Sequence, residues 1–146
     1  MADLDISHLY DAPPEVVFAA WTDPEQVARW WAPEGLEIPP ESVVIDARVG
    51  GRFELTMVDP RGPSHDLRAT FVEFVEPELI VLRNEPIPGA GINEATLTRA
   101  TFEAEAGGCR MTVSAGPYPP EMWGDAEAGW RSLMANLERL LAARPG

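Results

Sequence analysis

An α+β fold is predicted, with an antiparallel curved sheet of about seven strands wrapped around one long C-terminal helix. Three patterns carry this expectation. Between Ser42 and Ala115 the chain breaks repeatedly at glycine and proline clusters, with alternating segments between the breaks. From Glu121 to Ala143 an unbroken apolar stripe follows helical spacing. Between Ala12 and Gly35 two short amphipathic helices, separated at Asp23-Pro24, end in a tryptophan pair.

The elements follow in order. Asp3 to Tyr10 places Leu4, Ile6, His8 and Tyr10 on one parity, as a strand does, and stops at Asp11-Ala12-Pro13-Pro14. Prolines then open a helix with Val16, Val17, Ala20 and Trp21 on one face. Thr22 and Asp23 suit the cap of a second short helix, which starts at Pro24 and carries Val27, Trp30 and Trp31. Strands are expected over Val43–Ala47, Arg52–Val58, His65–Val75, Leu79–Asn84, Glu94–Glu105 and Arg110–Ala115, joined as an antiparallel meander. Phe53, Leu55 and Met57 alternate with Arg52, Glu54 and Thr56, giving one buried and one wet face. The segment through Phe71, Val72, Phe74 and Val75 does not alternate, so the pattern leaves open which aromatic points inward.

After Gly116-Pro117-Tyr118-Pro119-Pro120 comes the long helix. Ala126, Gly129, Trp130, Leu133, Met134, Leu137, Leu140 and Leu141 form its stripe, opposite Glu127, Arg131, Glu138 and Arg139, and Arg144 suits the negative end of the dipole. About 23 residues reach about 35 Å, enough to lie along the concave side of the sheet. The two short helices are expected to plug one end. Small or soft residues such as Gly129 and Met134 on the helix face make an enclosed pocket plausible.

Residues 1–146 are read as a single domain, since that length buries a sizeable core without staples. The 11 basic residues, all arginine, stand against 24 acidic ones for a formal charge of -13. Such a surface repels phosphate, so neither nucleic acid nor anionic membrane is an expected partner. Cys109 is the one cysteine, which fits a reducing compartment; with no leader-like or membrane-length apolar run, a soluble cytoplasmic protein is expected.

The stretches AWTDPEQVARWWAPEG, DARVGGRFEL, EFVEPELIVL and GWRSLMANLERLL, spread in order over nearly the whole chain, resemble bacterial relatives of the activator of the heat-shock-protein-90 ATPase, within the START-like or SRPBCC superfamily. The resemblance implies the helix-grip fold with a cavity between sheet and helix. It also implies several possible roles: binding hydrophobic small molecules, lipids or polyketides, cyclising or aromatising polyketides, or stimulating a chaperone's ATPase. Fold alone does not choose among them. Trp21, Asp23, Pro24, Trp30, Trp31, Pro33, Asp46, Arg48, Gly50, Gly51 and Trp130 match the family blocks and are read as scaffold.

Few residues suggest chemistry. Ser64-His65-Asp66 lists triad members side by side, but neighbours on a strand point apart, so a polar hairpin tip is the better reading. Two histidines and one cysteine without ligand spacing argue against a metal, and Gly50-Gly51 and Gly107-Gly108 lack the pattern of phosphate loops, so no cofactor is expected. Cys109 reads as a small strand residue, and Asp46 with Arg48 as a solvated pair near a glycine bend.

The leading expectation is a non-enzymatic binder of a hydrophobic or aromatic small molecule. Its pocket would be lined by Phe53, Leu55, Met57, Ile80, Leu82, Phe102, Met111, Trp130, Met134 and Leu137. Tyr118 and Trp123 would stand at the mouth, Arg83, Asn84, Thr96 and Thr98 would orient the ligand, and the loop from Pro86 to Glu94 would form a second gate. A cyclase or aromatase is the enzymatic alternative, with His8, Asp46 and Glu54 as loose candidates for moving protons. Two protein partners stay open: a chaperone or regulator meeting the acidic surface, and a second copy of the chain forming a homodimer.

Overall fold

The computed structural model describes residues 2–32 and 35–143; Pro33 and Arg144 lie outside the described residues. Strand β1 (Ala2–Tyr10) is followed by helices α1 (Pro14–Ala19) and α2 (Pro24–Trp30). Strands β2 (Val44–Ile45), β3 (Arg52–Met57), β4 (His65–Val75), β5 (Leu79–Asn84), β6 (Thr96–Glu105) and β7 (Gly108–Tyr118) come next, and α3 (Pro120–Ala143) ends the chain. All seven strands form one antiparallel sheet in the order β1-β7-β6-β5-β4-β3-β2. The consecutive hairpins are those of the expected meander; β1, however, skips the strands after it and pairs with β7.

Two strand lengths differ from the sequence reading for visible reasons. β2 keeps only two residues because the chain turns immediately after it: Arg48 N–H donates to the Asp46 carbonyl at 2.9 Å and Gly51 N–H to that of Arg48 at 2.8 Å. A Cβ at Gly51 would lie 1.9 Å from the Asp46 carbonyl oxygen, so that turn needs glycine. At the other extreme, β7 runs through Gly116 and Pro117 to Tyr118, which pairs with Ala2. Tyr118 therefore belongs to a strand rather than to the loop in which the sequence placed it.

A bulge resolves the ambiguous aromatics of β4. Phe71 pairs with Leu82, but Glu73 pairs with Val81, leaving Val72 as the extra residue. The half-step reverses parity, so both Phe71 and Phe74 turn inward, with ring centroids 5.5 Å apart.

Inside the sheet, α1 and α2 deliver a dense aromatic cluster. Asp23 Oδ1 accepts from the Glu25 N–H at 3.1 Å and caps α2, with Pro24 in its first turn. That sets Trp30 and Trp31 beside Trp21, at centroid distances of 5.1 Å for each and 4.9 Å between themselves. Their polar edges are satisfied: the Trp30 indole N–H donates to the Ala20 carbonyl at 2.8 Å, and that of Trp21 meets Met111 Sδ at 3.3 Å. Phe18 of α1 sits between Phe74 and Phe102. Edge-to-face pairs of this kind contribute about 0.5–1.5 kcal/mol each beyond their buried area.

The C-terminal part of α3 is clamped to this cluster. Tyr10 donates its hydroxyl to the Met134 carbonyl at 3.1 Å, and Asn136 Nδ2 donates to the Ala32 carbonyl at 2.8 Å and the Trp30 carbonyl at 3.3 Å. Leu137 is completely buried there.

Candidate functional site: a cavity beside the first half of helix α3

Walking along α3 toward its N-terminus, the inward side chains shrink. Leu137, Met134, Leu133 and Trp130 give way to Gly129 and Ala126. A Cβ placed on Gly129 would meet nothing within 4 Å. The result is a cavity of about 280 Å³ between α3 and strands β3 to β7. Met57, Leu67, Ile87, Ile92, Met122 and Leu133 supply apolar walls. Trp31 and Trp130, 5.5 Å apart, separate it from the packed aromatic cluster.

The polar chemistry converges on this space. Apart from aromatic side chains, the buried polar residues among those described are Asn84, Thr96 and Thr98, and all three line the cavity. Asn84 of β5 faces the pair from β6: its Nδ2 donates to Thr98 Oγ1 at 3.0 Å, to Thr96 Oγ1 at 3.2 Å and to the Thr96 carbonyl at 3.4 Å. A carbonyl only accepts, so the amide nitrogen must point to the sheet and Oδ1 away from it. Oδ1 has no partner among the described residues, and both threonine hydroxyls, used as acceptors, keep their hydrogens to donate. The cluster thus offers one acceptor and two donors to a molecule in the cavity.

Tyr118 closes the set from β7. Burial pushes its hydroxyl pKa up, while the Trp130 indole N–H, donated to that oxygen, works in the opposite direction. It stays a neutral phenol. At the mouth stand Glu85 and Asp125, both exposed, together with the loop between β5 and β6, where Ile87 and Ile92 pair across a short 3-10 turn. Met122 of α3 reaches over Gly91 of that loop.

The structure distributes the sequence-predicted residues unevenly. Met57, Tyr118 and Trp130 line the cavity, as do Asn84, Thr96 and Thr98. Phe53, Leu55, Ile80, Leu82, Phe102, Met111, Met134 and Leu137 are instead packed into the core, away from the open space. Trp123 is half-buried against that core. Arg83 points outward and pairs with Glu85 at 2.8 Å. Leu67 and Met122 are walls that the pattern did not single out; Ala126 and Gly129 come from the helix stripe, and Ile87 and Ile92 from the loop expected as a second gate. One signal was present: Thr96 and Thr98 share the parity of Ala100 and Phe102, placing hydroxyls on an inward face while Leu97 is half exposed outside.

Other candidates lie elsewhere. His8 bonds to Glu138 at 3.0 Å near the far end of α3, Glu54 faces Arg52 at 3.6 Å, and Asp46 holds Arg48 at 2.8 Å in a solvated pair. None of the three lines the cavity. Asp66 turns to Thr56 Oγ1 at 2.8 Å, so Ser64, His65 and Asp66 do not converge. Cys109 is fully buried, and burial pushes its thiol up to about 11, the opposite of what a reactive cysteine needs.

A larger depression of about 1020 Å³ lies between α2, residues 35–41 and α3. Its polar lining, Arg29, Glu37, Glu41, Ser132, Asn136 and Arg139, is at most half-buried, and Asn136 spends its amide on the Trp30 and Ala32 carbonyls. Among the described residues it lacks the buried donor and acceptor array that distinguishes the smaller cavity. Among the described residues no helix is long and apolar enough to cross a membrane.

Comparison with known proteins places this architecture. Protein CV1439 from Chromobacterium violaceum is 25% identical with a TM-score of 0.85, over 95% of this chain and 96% of that one. A protein from Rhizobium leguminosarum is 26% identical with a TM-score of 0.74, over 98% and 95%. The AHSA1 protein from Silicibacter pomeroyi shares the fold at 23% identity and a TM-score of 0.80, over 97% and 98%. No curated protein matches the sequence. Residues 11–142 match the family described as Activator of Hsp90 ATPase homolog 1-like protein, whose members have the START-like helix-grip fold. With nearly its whole length matched, and a sheet gripping α3 as that fold requires, this chain belongs to the Activator of Hsp90 ATPase homolog 1-like protein family.

Proposed function

We propose that this protein binds a compact hydrophobic or aromatic small molecule in the cavity beside α3, without transforming it. One observation carries the reading: the buried Asn84, Thr96 and Thr98 all face the same apolar void, with an acceptor and two donors unspent. Among the described residues no buried side-chain nitrogen or oxygen lacks a partner, so the unspent valences face the accessible space, and a ligand that meets them replaces water there while its apolar body covers the walls. At about 280 Å³ the space falls just under the usual range for small-molecule sites, about 300–1,000 Å³. A one- or two-ring molecule fits that size. The site contains no nucleophile with an adjacent base, which favours binding over catalysis. The single buried, unreactive cysteine suits action in the cytoplasm.

Trp31 and Trp130 in the wall make tryptophan fluorescence a direct reporter. A panel of aromatic alcohols, ketones and phenolic polyketide fragments is expected to include molecules that shift it saturably, and Gly129→Leu, which fills the void, is expected to abolish the shift. Silence across the panel, or saturable binding unchanged in G129L, contradicts the reading.

A further inference from the structure

We infer that the cavity selects uncharged ligands and rejects their carboxylate analogues, an inference that rests on the binding function proposed above and specifies its ligand class. The charged residues among the cavity walls are Glu85 and Asp125, both negative. Glu85 is engaged by Arg83 on the outer side, whereas Asp125 has no ion-pair partner among the described residues. A carboxylate entering this mouth therefore meets like charge. Further in, it finds no cation.

The inner end is suited to a different group. Asn84 Oδ1 accepts while the Thr96 and Thr98 hydroxyls donate, and this mixed set matches a hydroxyl, which also does both, or a carbonyl bonded to the two hydroxyls. A carboxylate would receive only neutral donors, those two hydroxyls and that of Tyr118. It would also face the Asn84 oxygen, while losing its hydration among Met57, Leu67, Ile92 and Leu133. Desolvating an ion without a paired charge is far more costly than desolvating an alcohol.

The test uses three matched pairs of probes built on phenyl, cyclohexyl and naphthyl groups: 2-phenylethanol with phenylacetate, and the corresponding alcohol and acetate for each other ring. Binding is read by tryptophan fluorescence and calorimetry at neutral pH, on the native chain and on two double variants. E85Q/D125N neutralises the mouth. E73Q/E78Q makes the same charge change on exposed positions of β4 and of the turn before β5: Glu78 lies about 20 Å along the strand from Asn84, and Glu73, opposite Val81, lies about 10 Å away, and neither lines the cavity. All four positions are exposed, so neither variant threatens folding.

We expect at least one alcohol to bind with its carboxylate partner about tenfold or more weaker. That gap should narrow at least about threefold in E85Q/D125N and stay unchanged in E73Q/E78Q. Equal binding within each pair, or a gap that both variants narrow alike, overturns the charge selection while leaving the cavity's binding function standing. Tighter binding of the carboxylates does the same. If none of the three alcohols binds, the selectivity falls, and silence across the whole panel above takes the binding function with it.

Discussion

Toward the C-terminal end of α3, Met134 and Leu137 press into a cluster of four tryptophans and five phenylalanines, and Tyr10 fastens the helix backbone to β1. Toward the N-terminal end, the same helix meets the same sheet with Gly129 and Ala126, and about 280 Å³ is left between them. Both halves use one helix and one continuous sheet, so the contrast comes from side-chain size and polarity rather than from backbone architecture. Rigid packing in one half holds the layers apart at a fixed spacing, and the small residues of the other half then leave a preformed space. Binding needs both: a collapsed second half would have no room, and a loose first half would let the layers close on the void.

Truncations should expose this difference on a single helix. Leu137→Ala, in the packed half, is expected to cost about 4 kcal/mol, because its neighbours cannot move to fill the hole. Leu133→Ala, one turn earlier and already bordering the cavity, should cost about 2 kcal/mol, since part of its surface has no packing to lose. Denaturant unfolding measures both; equal costs would remove the distinction between the halves.

Filling works in the other direction. Gly129→Leu should stabilise the protein by about 1 kcal/mol through helix propensity alone, while removing the space for a ligand. The same step at a filled position would clash, so a destabilised G129L would mean that the void is closed in solution.

A smaller change probes the polar cluster. Thr98→Val keeps the shape but deprives Asn84 Nδ2 of its shortest contact, for an expected loss of about 1 kcal/mol. Ligands carrying a hydroxyl should weaken by a similar amount, and purely apolar ones should not.

The last of these effects is absent at neutral pH and appears only in alkali. Burial raises Cys109 from 9.0 to about 11 and raises the hydroxyls of Tyr10 and Tyr118 above their ordinary 10.0. For each group the fold favours the neutral form, so its contribution is whole below the unfolded value and is lost as pH climbs through the folded one. Unfolding free energy should therefore be unaffected by Cys109 below pH 9, fall between pH 9 and about 11, and fall further above pH 10 as the tyrosines join. Tyr10→Phe should flatten the upper part of that decline, at a small cost from the lost Met134 bond.

These contrasts also mark what the sequence alone could tell. Alternation in β3, the apolar stripe of α3 and the Asp23-Pro24 cap were legible because each is a local rule acting on a few neighbouring residues. The pairing of β1 with β7 was not, since it joins segments about a hundred positions apart and leaves no mark in either. The bulge at Val72 broke alternation in a way that signalled irregularity but not its direction. The division of the groove was hidden for a deeper reason. Periodicity reports which residues are buried, and Leu82 in the packed core and Leu67 beside the void are buried alike. Pattern cannot distinguish contact with a neighbour from contact with empty space. Polarity can: the inward threonines of β6 contradict a fully apolar interior, and that contradiction marks the site.

The central claim is that ligands enter the space beside the first half of α3, and amide chemical-shift mapping of an ¹⁵N-labelled sample titrated with 2-phenylethanol tests it most directly. Saturable shifts at Thr96, Thr98, Asn84 and Gly129, with Leu137 and Tyr10 unmoved, are the result expected here. Shifts confined to Arg29, Ile38 and Asn136 would move the site to the larger depression and contradict the account.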